Sequence, residues 1–255
     1  MAEVATPTTT PHGQGRGGAL PRGLAARAVG VIVSPAGTYA DIAAHPRALS
    51  ALVLVFVATS LVVGIFLSTD IGRNAALDQN LSMMETFGSR LSEAQMRQIS
   101  QRFEARAAQA PLYAVGGILV GLPLTVAVVA GLAMLVFNIG LGGEATFRQL
   151  FAIVAYSRVI SLLQTLFVTP LNYARESLSS ATSLLVFFPM VDDAGFFGRV
   201  LGWIDLFRIW WIVSLAIGLG VLYKRGTWPI AAVILALYVL FALAAAGVMM
   251  AFSGA

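Results

Sequence analysis

Apolar positions along this chain fall into five long stretches separated by polar connections. Residues 48–67 carry no charge, and twenty helical residues cover the roughly 30 Å hydrocarbon layer of a bilayer. Residues 111–143 are equally free of charge, and their centre, 114–137, predicts a second span. Pro123 predicts a kink there, which membrane helices tolerate. A third span is predicted over 147–171, entered through an interfacial turn from Thr146 to Phe151. A fourth covers 203–222 with Asp205 and Arg208 in its first turns. The fifth, 228–252, follows a tight turn at Lys224-Arg225-Gly226. Residues 178–190 are apolar but too few to span, so they read as an interfacial or re-entrant piece. Trp203, Trp210, Trp211 and Trp228 fall at or near span ends, where indole prefers the interface.

Between the first two spans, residues 69–110 form a polar excursion with five Arg and five acids. Leu81, Met84, Phe87 and Leu91, then Met96, Ile99 and Phe103, recur at helical spacing. Ser92-Glu93-Ala94-Gln95 is a capping-box start. Two short amphipathic helices are expected. Ahead of the first span, 20–33 is weakly amphipathic, and Ser34-Pro35 predicts a helix start with Ser as N-cap and Pro at the first position. The helix over 36–44 ends before Pro46, and such a segment is expected along the headgroup surface. Residues 1–18 are rich in Thr, Pro and Gly and read as disordered. The fold class is therefore all-α, an integral membrane bundle of about five transmembrane helices. A basic leader, 1–29, precedes a membrane domain, 30–255.

Composition sharpens this picture. Of 255 residues, 58% are hydrophobic and 11% charged, against roughly 25% charged in soluble domains. A surface facing water cannot be clothed with so little charge. The formal net charge is +4. The basic residues flank apolar segments, so they point to anionic lipid headgroups and the bilayer rather than to nucleic acid. Fifteen Arg against one Lys, with abundant Ala and Gly, suggests a GC-rich bacterial genome and a bacterial inner membrane. Five spans put the termini on opposite sides. Arg22, Arg27, Arg47, Arg148, Lys224 and Arg225 then favour a cytoplasmic N-terminus and an external C-terminus.

The search for chemistry returns little. There is no Cys, no H-E-x-x-H, no G-x-S-x-G and no Walker lysine. Gly13, Gly15 and Gly18 match G-x-G-x-x-G, but no strand precedes them. His12 and His45 are isolated, and Asp192-Asp193 reads as a solvated loop pair. No catalytic, cofactor or metal site is expected. One polar stripe lies on the third span: Ser157, Arg158, Ser161, Gln164, Thr165 and Thr169. It reads as a substrate path or as a helix interface glued by small polar groups. In the second reading Arg158 snorkels to the cytoplasmic headgroups, with Glu144 as partner. Gly117-x-x-x-Gly121 offers a surface for close helix packing.

Three stretches carry a family resemblance. Ser34-Pro35, continuing through Thr38-Tyr39-Ala40-Asp41-Ile42-Ala43-Ala44-His45-Pro46-Arg47, is one. Ala145-Thr146-Phe147-Arg148-Gln149-Leu150-Phe151-Ala152-Ile153-Val154-Ala155-Tyr156 is the second. The third is Leu201-Gly202-Trp203-Ile204-Asp205-Leu206-Phe207-Arg208-Ile209-Trp210-Trp211, with Ala216-Ile217-Gly218-Leu219 after it. Together they resemble the Yip-one (YIP) domain family of polytopic membrane proteins, in its bacterial type, over about 30–252. Arg158 departs from the small or apolar residue usual in that family, and the polar excursion is long. The resemblance implies five spans, a cytoplasmic N-terminus and no known enzymatic activity. Eukaryotic members of that family act with Rab-type GTPases in vesicle trafficking. The leading expectation is a non-enzymatic membrane scaffold binding membrane or cytoplasmic protein partners. A transporter or permease subunit using the third-span stripe is the alternative, with an intramembrane enzyme third.

Overall fold

The computed structural model describes residues 22–86, 92–140, 142–178, 180–192 and 195–253. The leader up to residue 21, with His12 and the glycine-rich match, lies outside them, as do Phe87, Leu91 and Asp193. Ten α-helices occur among the described residues: α1 Leu24–Val33, α2 Pro35–Ala44, α3 Ala48–Ser68, α4 Asp70–Thr86, α5 Glu93–Ala105, α6 Ala110–Met134, α7 Phe147–Arg175, α8 Phe196–Trp203, α9 Leu206–Tyr223 and α10 Thr227–Ser253. α3, α6, α7, α9 and α10 are long and apolar enough to cross a membrane. α4 and α5 are the two helices of the polar excursion.

α7 is the axis of the bundle. It packs against α3, α6 and α9, and α10 packs against α9. Ala152, Ile153, Val154, Ala155 and Ile160 of α7 are buried with Leu215 and Leu219 of α9. In its most apolar window α7 is 56% buried, while α3 and α6 are 17% buried. The outer helices turn the rest of their apolar surface outward, as lipid-facing helices must. Apolar residues surround such helices on every side, so hydropathy alone does not say which face turns inward.

Several sequence expectations are corrected. The third span has no interfacial turn at its entry. Thr146 is a true N-cap whose hydroxyl accepts from the Gln149 amide, while the Gln149 side chain accepts from Thr146. The helix is therefore continuous from Phe147. The fourth span starts at Leu206, because Trp203 ends α8 and Asp205 sits in extended backbone as the N-cap of α9. Ser34 precedes α2, but its side chain makes no cap bond; Pro35 sets the start. Among the described residues, no helix closes on Gly117 and Gly121. A Cβ at either would meet nothing within 4 Å, because α6 turns Val126, Ala130 and Ala133 inward instead. Small residues permit close approach but do not attract a neighbour.

The end of α6 was not legible in the sequence. It passes into a π-helical turn, Leu135–Ile139. Asn138 there donates to the Ala145 carbonyl (2.7 Å) and accepts from the Tyr223 hydroxyl (2.6 Å), tying the connection to the end of α9. Residues 178–190 do not span. They hold one 3₁₀ turn, Leu184–Phe187, and an isolated bridge from Ser183 to Asp205.

Candidate functional site

Among the described residues, three gatherings of polar side chains stand out. The first is at the α1–α2 end. Amphipathic α1 is docked on the bundle. It packs on α2 and α7, and Arg27 is among the most buried side chains of the molecule. Its Nε donates to Asp41 Oδ2 (2.7 Å) and an Nη to the His45 carbonyl (3.1 Å). The guanidinium lies 5.7 Å from the Tyr156 ring centroid. Burial opposes the Arg27 charge, but the interactions with Tyr156 and Asp41 outweigh it and raise its pKa. Burial likewise pushes the Asp41 carboxyl up, while Arg27 pulls it further down, below the usual Asp range. Tyr39 of α2 is fully buried and shares a hydrogen bond with Ser214 of α9 (2.8 Å). Burial drives its hydroxyl pKa well up.

The second place is the third-span stripe. Ser157 is buried, donates to the Val154 carbonyl (2.8 Å) and accepts from the Trp211 indole (2.9 Å). Trp211 is therefore an interior residue and not an interface anchor. Thr165 donates to the Ser161 carbonyl (3.1 Å), the back-bond typical of hydroxyls in helices. Gln164 donates to Asp205 (3.0 Å). Arg158 sits against α9. Counting from Phe147 it lies about 16 Å along the helix, with its guanidinium 4.8 Å from the Trp211 ring centroid. Trp211 supplies that site from α9. Glu144 is exposed and forms no ion pair with Arg158.

The third place is the opposite end of the bundle from α1 and α2. Asp205 is buried and accepts from five donors. These are Gln164, the Phe207 and Arg208 amides, and the hydroxyls of Ser180 and Thr182. The connection before α9 is laced to the same point, with the Leu184 amide on the Ile204 carbonyl (2.7 Å) and the Leu206 amide on the Thr182 carbonyl (3.2 Å). Beside it lies a cavity of about 360 Å³, with Gln164, Asp205, Arg199 and Arg208 among its lining residues. A polar residue ahead of an apolar run is a recognisable N-cap signal. That signal was present at Asp205, but its side-chain partners come from α7 and a loop that local pattern does not connect to it.

Thus Ser157, Gln164 and Thr165 are closed onto neighbours, Arg158 is drawn towards α9, and Gly117 and Gly121 stand apart on α6. Among the described residues no group of three or more His, Asp or Glu could hold a metal ion. These features define a multi-pass, all-helical membrane protein with its polar groups folded into helix contacts. Residues 29–249 match the family model described as the Yip1 domain, so the chain belongs to the Yip1 domain family. No curated protein and no solved structure matches it.

Proposed function

We propose that this protein is a non-enzymatic membrane scaffold that binds protein partners, with a cytoplasmic N-terminus and an external C-terminus. The closure of the third-span stripe supports this reading. A solute path needs polar groups that face a water-filled cavity. Ser157 instead bonds to Trp211 and Thr165 turns back on its own helix, while Gln164, at the end cavity, bonds to Asp205. That is helix-to-helix glue. α4 and α5 lie outside the five long helices: α4 rests on α3 and α10, and α5 contacts α4.

Cysteine scanning tests the reading directly, because the chain has no native Cys. Single Cys at Ser157, Ser161, Gln164, Thr165 and Thr169 are probed from each side with a small charged thiol reagent. Such a reagent needs water to reach and ionise the thiol. Labelling is expected at Gln164, which lines the end cavity, and not at Ser157 or Ser161. Labelling at every position, protected by a solute, establishes transport and overturns the scaffold.

A further inference from the structure

The polar excursion and the adjoining ends of the first two spans enclose another cavity, of about 510 Å³. A volume of that size falls in the range of small-ligand sites. Its wall draws on α3, α4, α5 and α6, with Leu67, Ala76, Ile99 and Phe103 among its apolar residues. Leu67 lies in the last turn of α3 and Tyr113 in the first turn of α6. Both helices are long and apolar enough to cross a membrane, so the cavity sits at the level where these spans meet the headgroups. Ile99 and Phe103 are apolar positions that helical spacing marks on α5, and they line this space.

Two arginines belong to the same wall, Arg102 and Arg106. Both are exposed. Among the described residues neither forms an ion pair, and no carboxylate lines the cavity. The neutral polar groups of the wall are spent locally: Asn80 donates to the Ala76 carbonyl (2.7 Å) and Tyr113 to the Gln109 side chain (3.0 Å). An apolar hollow with two unclaimed guanidinium groups is complementary to an amphiphile with an apolar tail and an anionic head. We propose that this cavity takes one acyl chain of an anionic phospholipid from the adjoining leaflet, with the lipid phosphate held by Arg102 and Arg106. Guanidinium forks match phosphate oxygens in pairs, and basic groups beside spans attract anionic headgroups. The ligand is close at hand. α3 and α6 are each only 17% buried in their most apolar windows, so hydrocarbon flanks the two spans whose ends form the cavity.

The experiment uses the full chain in detergent and follows binding by native mass spectrometry. Phosphatidylglycerol, phosphatidylcholine and oleate are added separately. Phosphatidylglycerol is expected to remain bound, and phosphatidylcholine, whose choline offsets the phosphate charge, to bind about tenfold more weakly. Arg102→Gln and Arg106→Gln are each expected to weaken phosphatidylglycerol binding about tenfold, the loss of a charge-assisted bond. Arg97→Gln removes the same charge from α5 outside the cavity wall and is expected to bind as the parent does. An equal loss in Arg97→Gln makes the attraction diffuse and overturns the site, as does equal binding to the parent and to both cavity variants. Oleate bound in preference to phosphatidylglycerol overturns the phospholipid as occupant. A second readout needs no variant: phosphatidylglycerol with a photoreactive group on its acyl chain is expected to crosslink the parent at Ile99 and Phe103. Crosslinks confined to α3 and α6 place the chain on the outside of the bundle and overturn the proposal.

Discussion

At the scale of single residues, two glycines separate packing from mere permissiveness. Gly218 of α9 is pressed between α7 and α2: a Cβ there would fall 2.6 Å from Ile153 Cγ2 and 3.1 Å from Tyr39 Cδ1. Ile153 is buried in the α7 core and Tyr39 is held by Ser214, so neither has room to move. Gly218→Ala is expected to destabilise the protein by about 1–3 kcal/mol, the usual cost of overpacking, read from unfolding in mixed micelles. Gly121→Ala is expected to leave that transition unchanged, since its position is open. Equal effects at the two sites would mean that α2 does not seat against α9 as described. The sequence marks both as glycines in apolar helices, and only the long-range contact separates them. Ser157 and Arg158 show the same limit. Their place on one polar stripe was legible from helical spacing, but the partner that decides their role, Trp211, lies in another span. Its apolar ring and span-end position pointed to the interface instead.

At the scale of elements, the five spans were legible because a bilayer demands long uncharged runs, and α4 and α5 because amphipathic spacing survives in a polar segment. The docking of α1 and α2 was not, since amphipathicity alone does not tell a bilayer surface from a protein surface. The decisive group is Arg27, which would be costly to bury without Asp41. This pair sets a pH dependence whose sign follows from the carboxyl. The folded-state pKa of Asp41 lies below that of an unfolded aspartate, so the folded protein binds fewer protons at this site. Its stabilisation is full above about pH 4, the unfolded value, and is lost as pH falls through the folded value. Hydrogen exchange across residues 24–45 is expected to accelerate on acidification through that window, and to be fast already at neutral pH in Asp41→Asn. Exchange that stays slow in Asp41→Asn would show that apolar contacts alone hold α1 in place.

At the scale of the whole molecule, five crossings by the long apolar helices would put the two ends on opposite sides of the bilayer. A phosphatase reporter fused after Ala255 is expected to be active, and a cytoplasmic reporter at the same site inactive, given the proposed orientation. The reverse pair of results would place the C-terminus inside and break either the orientation or the count of five. The hydrogen bond between Tyr39 and Ser214 also joins positions 175 residues apart. Chains emerge from a ribosome at about 5–20 residues per second. On the order of ten seconds or more therefore separates the synthesis of Tyr39 from that of its receptor. Through that interval α1 and α2 exist without the α9 wall they finally rest on, although α7, with Tyr156, is made before Ser214. The seating of α2 therefore waits on the fourth span, although its residues are made long before it.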